Sequence, residues 1–249
     1  MHIHATRLHG KDKMSIRSKL KKEDGFPYKF IRNIYHGYNR FSFPIPKVIC
    51  VILWEVVSTL MKAYYWAKSS FWVTPLYRGL CVEVGKNLKA GTFVPYVIGR
   101  GKIYLGDNVI FYGKQNIIFG SIKSELPEIH IGENTGFGHN VTFDIAGRLV
   151  IGRQCMIAGG VMFVDCGGHS IVPEKRAVGE SPTEKDVREI TIGNNVWIGT
   201  GAYILPGAII GDNCVIAANT MISKKVPQNS LVYAVPAKVI EIRNITSII

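Results

Sequence analysis

Several features that would assign this chain of 249 residues to a simple class are missing. None of its cysteines forms a C-x-x-C pair, and they are scattered along the chain: Cys50, Cys81, Cys155, Cys166 and Cys214. An odd, scattered set argues against a disulfide scaffold or a zinc ribbon and predicts reduced thiols packed as small core residues. No RNA-binding or helix-turn-helix signature is found, so we expect no nucleic-acid partner.

Sorting signals and disorder-promoting tracts are also missing. The first apolar run starts near Val48, too deep for a cleavable signal peptide, and no A-x-A site follows promptly. There is no collagen triplet and no long low-complexity tract. With 47% hydrophobic residues, the chain can bury enough apolar surface to fold. We therefore predict a folded, cytoplasmic protein of one large domain, alone or with an appendage.

Positive charge is concentrated near the N-terminus. Residues 1–50 hold 11 Lys/Arg against 3 Asp/Glu, a net charge of +8, whereas residues 51–249 hold 19 against 15, a net charge of +4. Residues 1–46 are predicted to form a basic, partly flexible arm. An anionic lipid surface or an anionic substrate suits such an arm.

An apolar segment follows the basic arm. Residues 48–66 read VICVILWEVVSTLMKAYYW, in which only Glu55 and Lys62 are charged. At 100° per residue the polar side chains fall on one narrow stripe, which predicts an apolar or amphipathic helical segment over residues 47–80. Three placements stay open: a helix in a membrane interface, a helix packed on the body or a neighbouring subunit, and a spanning helix. Residues 11–72 together predict peripheral association with the inner face of the cell membrane.

A six-residue repeat dominates the C-terminal half of the chain. Isoleucine recurs at every sixth position: Ile192, Ile198, Ile204, Ile210, Ile216 and Ile222. The third residue after each isoleucine is Asn or Gly in five of six cases: Asn195, Gly201, Gly207, Asn213 and Asn219. Asn and Gly tolerate left-handed backbone angles, so they can turn a tight corner between two short strands. The pattern predicts a parallel β-solenoid in which three six-residue sides close one coil and the isoleucines stack inside.

The pattern extends upstream in a looser form. Leu105, Ile131 and Phe137 are each followed by Gly and then, two residues later, by Asn. About seven coils are predicted over residues 81–226, with breaks near residues 121–128 and 144–149. The largest break is a charged loop excursion over residues 164–191, and residues 227–249 are expected to be a tail that packs on the coils.

Residues 192–240 resemble the C-terminal signature of the hexapeptide-repeat acyltransferases. The similarity is greatest to the sugar O-acetyltransferases of the maltose, galactoside and polysaccharide type. The resemblance implies an all-β, left-handed parallel β-helix, a homotrimer with active sites between subunits, and acetyl-CoA as co-substrate without a metal. It thus implies an acetyl-CoA-dependent O-acetyltransferase acting on a sugar hydroxyl of a cell-surface glycan or its lipid-linked precursor.

The resemblance also implies roles for individual residues. Family members have their catalytic His before such a loop, so His169 is the expected general base, with an exposed loop His as the alternative. Asp165 either orients His169 or caps a corner. The family often has a polar residue one coil earlier than the base, and by counting this position is Gly138. The neighbouring His139 and Asn140 are therefore expected near the acceptor, with Asn140 alternatively a corner residue. The expected coenzyme A contacts are Trp197, Thr200, Ala218, Ser223, Lys224, Lys238 and Arg243. For Lys224 the alternative is an ordinary exposed corner residue.

Other functions on this scaffold are weighed by residues. A γ-type carbonic anhydrase needs an H-x4-H pair, which His130, His139 and His169 do not supply. An acyl-carrier-protein donor, an amino-sugar acceptor and a non-catalytic scaffold at the membrane remain as alternatives.

Overall fold

The computed structural model describes residues 29–31, 33–34, 38, 43, 45–122, 125–170 and 172–233, together with the backbone of residues 238–241. The chain divides into two compact units, residues 1–57 and 58–249. All strands of the described residues belong to the second unit.

A continuous helical segment precedes the strands. Helix α1 spans Lys47–Lys68, a π-helical turn spans Ser69–Val73, and helix α2 spans Thr74–Leu80. Two hydrogen bonds hold the turn on the first coil: the Ser69 hydroxyl donates to the carbonyl of Ala90, and the Ala90 N–H donates to the Thr74 hydroxyl at 3.1 Å. Val73 and Tyr77 are buried in the core that the coils share. The end of the helical segment is therefore part of the hydrophobic core.

The rest of the second unit is a parallel β-helix built from three sheets. Sheet A contains β1 (Glu83–Val84), β4 (Lys102–Leu105), β7 (Glu128–Ile131), β10 (Arg148–Ile151), β13 (Ile190–Ile192), β16 (Ile209–Ile210) and β19 (Lys225–Val226). Sheet B contains β2 (Lys89–Ala90), β5 (Ile110–Phe111), β8 (Gly136–Phe137), β11 (Met156–Ile157), β14 (Trp197–Ile198), β17 (Val215–Ile216), β20 (Ser230–Tyr233) and β21 (Lys238–Glu241). Sheet C contains β3 (Tyr96–Ile98), β6 (Gln115–Phe119), β9 (Val141–Ile145), β12 (Met162–Val164), β15 (Tyr203–Ile204) and β18 (Met221–Ile222).

One strand from each sheet makes one coil, which gives six complete coils and a seventh made of β19 and β20. The prediction of about seven coils is confirmed. In the regular part Ile192 pairs with Ile210, the third isoleucine after it in the repeat, as a coil of three equal sides requires. The coils run on past residue 226 to Tyr233, where β21 pairs antiparallel with β20.

Side chains inside the coils form one continuous core. The six isoleucines of the repeat are all buried, with relative exposures between 0% and 2%. In the earlier coils the core is aromatic, and the Tyr77 ring begins a stack that continues through Phe111, Phe137, Phe143 and Phe163 with ring centroids 4.9 to 5.6 Å apart. Three cysteines are buried as predicted, but Cys50 is exposed on α1, so the core prediction is wrong for that residue.

The corners between strands have the predicted left-handed backbone. At the corner between sheets A and B, φ is positive at Asn87, Asn108, Asn134, Gln154, Asn195, Asn213 and Asn229. Neighbouring Asn side chains in this column are hydrogen-bonded, for example Asn195 to Asn213 at 2.9 Å and Asn213 to Asn229 at 3.0 Å. The Asn side chains of this column therefore pair their amide groups with one another along the edge of the solenoid.

Candidate functional site

The largest departure from the coil lies between β12 and β13, at the corner between sheets C and A. Ile151 pairs with Ile192 across this excursion, and Ile192 pairs with Ile210 in the next, regular coil. The coil that holds the excursion is therefore more than twice as long as the regular one. The excursion contains helix α3 (Pro173–Ala177) and a 3-10 turn (Glu184–Asp186). The Arg188 N–H donates to the carbonyl of Asp165 at 2.8 Å, so the excursion leaves and rejoins the coil at one point.

His169 lies at the beginning of the excursion and is exposed. It lines a cavity of about 640 Å³ together with Lys175, Asp186, Arg188 and Pro206. The remaining lining residues come from the excursion: Gly167, Ser170, Val172, Glu180, Ser181, Pro182, Thr183 and Lys185. An imidazole at the edge of an open groove lined mainly by charged and polar residues is accessible both to a substrate and to solvent.

Local hydrogen bonds give the excursion a defined shape. Thr183 and Asp186 form a capping box in which the Asp186 carboxylate accepts from the Thr183 N–H at 2.8 Å and from its hydroxyl at 2.9 Å. These two bonds hold the pKa of Asp186 below its ordinary value. Lys175 and Glu180 form an ion pair at 2.7 Å, and the Arg176 guanidinium donates to the Ser170 carbonyl at 3.0 Å. Hydrogen bonds and an ion pair within the excursion therefore fix the shape of the groove beside His169.

Asp165 is fully buried, and its carboxylate closes the corner of the preceding coil. One oxygen accepts from the Ala146 N–H and the other from the Gly147 N–H, each at 2.7 Å. This is the corner-capping alternative of the sequence analysis. The role of orienting His169 stays a prediction, and the two backbone bonds give Asp165 a structural function that does not depend on it.

A small apolar cluster lies beneath the excursion. Ala146, Cys166 and Val187 are buried together, with Ile122 packed against them. Burial raises the pKa of the Cys166 thiol, and the carboxylates of Asp165, Asp186 and Asp144 raise it further. Burial also raises the pKa of Asp144, which precedes this corner on β9. The Cys166 thiol is therefore kept neutral and suits a packing role rather than a nucleophilic one.

Four residues form a second feature at the corner between sheets B and C, which we call the BC ridge: His139, Gly159, Thr200 and Ala218. Consecutive coils are joined here by backbone hydrogen bonds that end on the carbonyls of His139 (2.8 Å), Gly159 (3.1 Å) and Thr200 (2.9 Å). Apart from Gly159, these are residues that the sequence predicted as acceptor or coenzyme contacts. Asn140 has φ of 56° and is the corner residue beside His139.

Close packing between coils explains why glycine stands at position 138, beside this ridge. A Cβ added at Gly138 would lie 2.5 Å from the backbone nitrogen of Gly159 on the next coil. Any side chain would force the two coils apart, so only glycine fits without movement. The exposed His139, whose ring lies 6.4 Å from Phe93, is the neighbouring polar group that faces outward.

The other predicted coenzyme contacts lie on two separate surfaces. Trp197 is 52% exposed on the outer face of sheet B, where it lines a groove of about 320 Å³ with Met156 and Tyr112. Ser223 and Lys224 are exposed at the corner between sheets C and A, two coils after His169. Lys238 is in β21, of which the backbone is described, and Arg243 lies outside the described residues.

Apart from Trp197 on the face of sheet B, the predicted site residues with described side chains follow two edges of the β-helix. His169, Ser223 and Lys224 lie along the edge between sheets C and A, and the BC ridge lies along the other side of sheet C. One side of about six residues spans roughly 20 Å at ~3.3 Å per residue. The two edges of one chain are therefore too far apart to contribute side chains to the same compact site.

Sequence reasoning missed the wall residues of the His169 groove, Lys175, Asp186 and Arg188. The available signal was the charge density of the excursion, because nine of the sixteen residues from Glu174 to Glu189 are charged. Among the described residues, no group of three His, Cys, Asp or Glu side chains is arranged to hold a metal ion.

Comparison with known proteins agrees with the repeat. A family model described as bacterial transferase hexapeptide (six repeats) matches residues 189–224, which are the regular coils from β13 to β18. The predicted resemblance to hexapeptide-repeat transferases is confirmed. The fold class, a left-handed parallel β-helix of hexapeptide repeats, is confirmed as well.

Individual relatives match only part of their length. The galactoside O-acetyltransferase of Escherichia coli (strain K12) is 40% identical over 112 residues, which is 45% of this chain and 53% of that protein. The chain spans about half the length of the curated relatives it matches.

Two solved structures share the fold. The polysialic acid O-acetyltransferase OatWY is 25% identical, with 64% of this chain and 72% of that chain covered and a TM-score of 0.50. AntD, an N-acyltransferase from Bacillus cereus solved with dTDP and 3-hydroxybutyryl-CoA, is 16% identical, with 70% and 90% covered and a TM-score of 0.51. At 16% identity the likeness to AntD concerns the fold alone.

Proposed function

We propose that this protein is an O-acetyltransferase that transfers an acetyl group from acetyl-CoA to a sugar hydroxyl. The observation that carries the proposal is the exposed His169 at the edge of a groove lined mainly by charged and polar residues, at the largest break in the β-helix. The names of the E. coli relative and of OatWY, both O-acetyltransferases of sugars or sugar polymers, support the same reaction.

In the proposed reaction the neutral imidazole of His169 acts as general base. It takes the proton of the sugar hydroxyl while the oxygen attacks the thioester carbonyl of acetyl-CoA. The tetrahedral intermediate then breaks its carbon–sulfur bond, and the departing coenzyme A sulfur receives the proton from the imidazolium. The products are the acetylated sugar and free coenzyme A, and His169 returns to its neutral form.

We assign the donor to the surfaces that carry the predicted coenzyme contacts. Trp197 offers an exposed aromatic face, and Thr200 and Ala218 offer a stepped backbone along the BC ridge. The exposed Lys224 suits a phosphate as a point charge, beside Ser223. Lys238 and Arg243 complete the set proposed from the sequence.

We assign the acceptor to the side of His139 and Asn140 and to the walls of the His169 groove. Because these groups lie on two edges of sheet C, we propose a homotrimer in which one subunit presents the His169 edge to the BC ridge of its neighbour. The acceptor would then be held between subunits. The proposed place of action is the cytoplasm, on a glycan or lipid-linked glycan at the inner face of the cell membrane.

The test is an assay of thiol release from acetyl-CoA with a panel of sugar and glycan acceptors. The wild-type protein should release coenzyme A only with an acceptor, and His169→Ala should lower kcat by about 10²- to 10⁴-fold. His130→Ala is the matched control, because His130 stacks on Tyr104 on the outer face of sheet A, away from both edges.

Two results would contradict the proposal. If His169→Ala were as active as the control His130→Ala, His169 would not be the general base. A folded protein whose thermal stability does not respond to acetyl-CoA would argue for a carrier-protein donor or a scaffold, since a bound ligand at about 100 times its Kd should add ~2.7 kcal/mol.

A further inference from the structure

Helix α1 exposes an unusually large apolar surface. None of its 22 residues is buried within the described part of the chain. Relative exposures reach 70% at Val48, 68% at Trp54 and 64% at Leu60. Contiguous apolar surface of this extent marks an interaction site on a folded protein.

Four polar side chains of α1 share one stripe, and Thr59 and the last residue, Lys68, lie outside it. At about 100° per residue, Lys47, Glu55, Ser58 and Lys62 fall within roughly 80° of the helix circumference. The same stripe leads to Ser69 in the π-helical turn, whose hydroxyl is bonded to the first coil. The side opposite the stripe is apolar and exposed at Leu53, Val56 and Leu60. The helix is therefore amphipathic, with a narrow polar face and a wide apolar arc.

By length and composition the helical segment Lys47–Leu80 could cross a membrane. A crossing would put Glu55 and Lys62 roughly 10 and 21 Å beyond Val48 at ~1.5 Å per residue, both inside a hydrocarbon layer of about 30 Å. Charged side chains at that depth are costly. A helix that lies in the interface keeps both charges at the level of the headgroups.

The tryptophans favour the same orientation. On the helical wheel Trp54 and Trp66 flank the polar stripe, each roughly 60° from its centre on opposite sides. Trp prefers the boundary between hydrocarbon and headgroups, and an in-plane helix puts both rings there. Phe71 and Trp72, which are 72% and 63% exposed, continue the apolar surface beyond the helix.

Charge selects the kind of membrane. Between residues 47 and 82 the chain has four basic residues, Lys47, Lys62, Lys68 and Arg78, against the single acidic residue Glu55. Residues 1–46, with 10 Lys/Arg against 3 Asp/Glu, add a net charge of +7 by sequence. A cationic, amphipathic helix binds most strongly to a bilayer that contains anionic lipid.

We propose that α1 is a membrane-docking helix that lies in the interface of an anionic lipid bilayer. Its apolar arc, centred on Leu53, Val56 and Leu60, enters the acyl-chain region. Lys47 and Lys62 remain among the headgroups. The inference does not depend on the proposed reaction, because it concerns lipid binding by α1 alone.

The experiment is flotation of the full-length protein with vesicles of phosphatidylcholine, with and without phosphatidylglycerol. The matched variants are Leu60→Glu and Ser58→Glu, which add the same charge two residues apart, on the apolar arc and on the polar stripe. Circular dichroism and thermal unfolding check that both variants fold. The protein should bind vesicles that contain phosphatidylglycerol and be released by alkaline carbonate.

Leu60→Glu should weaken this binding at least about tenfold, and Ser58→Glu by less than about threefold. Three results would each overturn the proposal. Failure of the wild type to float excludes lipid as the partner. Resistance to carbonate indicates a spanning helix. A lower oligomeric mass of Leu60→Glu without lipid assigns the arc to a second copy of the chain.

Discussion

The first four coils and the last three use the same three sheets but have different cores. From Ile192 to Ile222 each side is filled with isoleucine, and the strands of the fifth coil pair with those of the sixth at the same interval along the chain in all three sheets. In the earlier coils the intervals in sheet A are unequal, because Val84 pairs with Leu105, Leu105 with Ile131, Ile131 with Ile151, and Ile151 with Ile192. The core there contains a stack of phenylalanines. Strands β6 and β9 are longer than any of β14 to β18.

This difference shows which coils of a β-helix can vary enough to form a functional site. Isoleucine and small corner residues fit a side of fixed length, so the period is strict and the outer surface changes little. Larger aromatic cores accompany longer and unequal sides, and the corners then vary. His139 and the His169 excursion belong to the irregular coils, whereas Thr200, Ala218 and Lys224 belong to the regular ones. A proposed site that combines both sets uses residues of the variable coils together with residues of the constant coils along each edge.

The strongest test of a site shared between two edges uses two variants, each of which alters one edge. His169→Ala alters the edge between sheets C and A, and Thr200→Trp fills the BC ridge, and each should be nearly inactive alone. If neighbouring subunits supply the two edges, co-refolding equal amounts should restore roughly one quarter of the wild-type activity, because one interface in four then has both edges intact. Thiol release from acetyl-CoA measures the recovery, with separately refolded mixtures as the control.

No recovery in mixed oligomers would show that both edges of one chain serve the same site. Recovery in the separately refolded mixture would point to subunit exchange and would require the test to be repeated with cross-linked oligomers. A monomer by light scattering would contradict the trimer outright.

The sequence predicted the regular coils in detail because their period is a direct consequence of local sterics. Asn195, Gly201, Gly207, Asn213 and Asn219 all have positive φ, as the corner pattern requires. The irregular coils were predicted only as a looser series of sides. The break predicted over residues 144–149 is a two-residue corner, and it is tight because the Asp165 carboxylate binds the N–H groups of Ala146 and Gly147.

The site was less predictable than the fold, since its contacts join residues from different coils. Spacing indicated that His169 precedes a long excursion, but it could not indicate that the walls would be Lys175, Asp186 and Arg188. It likewise could not predict that Gly138 lies too close to Gly159 for a side chain. The sequence also did not predict that Tyr77 belongs to the core, because nothing in a helix that precedes the repeat indicates which coil it contacts.

The largest stability difference between the two halves should appear at the aromatic stack. Phe143 is 1% exposed between Phe137 and Phe163, with ring centroids 5.5 and 5.6 Å away. Phe143→Ala should lower the free energy of unfolding by about 3–5 kcal/mol, whereas Ile204→Val in the regular coils should cost about 0.5–1.5 kcal/mol. Denaturant unfolding measures both. Equal losses would mean that the aromatic core is no more demanding than the aliphatic one.

A smaller loss is expected where the excursion joins the coil. Asp165→Asn keeps the shape of the side chain but replaces one acceptor oxygen with an NH2 group that faces a backbone N–H. Losing one charged hydrogen bond and leaving a buried donor unpaired should cost about 2–3 kcal/mol. Asp186→Asn is the control, because its capping box is exposed, and the loss there should be clearly smaller than at Asp165.

The same variant separates the two functions considered for Asp165. A purely structural role predicts that Asp165→Asn, assayed well below its unfolding temperature, retains a normal pH–rate profile. A shifted profile would support the second role, in which Asp165 orients His169.

The smallest expected effect is at the other end of the aromatic stack. The Tyr77 ring stacks on Phe111 at 4.9 Å, and among the described residues its buried hydroxyl has no hydrogen-bond partner. Tyr77→Phe keeps the ring contact and removes the unpaired group, so it should be neutral or stabilising by up to about 1 kcal/mol. Tyr203→Phe on the exposed face of β15 is the matched control, and it should change the unfolding free energy by less than about 0.5 kcal/mol.

The response to alkali gives this last prediction a second readout. Burial raises the pKa of Tyr77 above its ordinary value, and the nearby Cys81 raises it further. The folded state therefore requires the neutral phenol, so its contribution is present below about pH 10, the pKa of an unfolded Tyr, and is lost as the pH rises. Tyr77→Phe should lose less stability than the wild type above pH ~10. A Tyr77→Phe variant that is less stable than the wild type at neutral pH would mean that the hydroxyl has a partner whose bond stabilises the first coils.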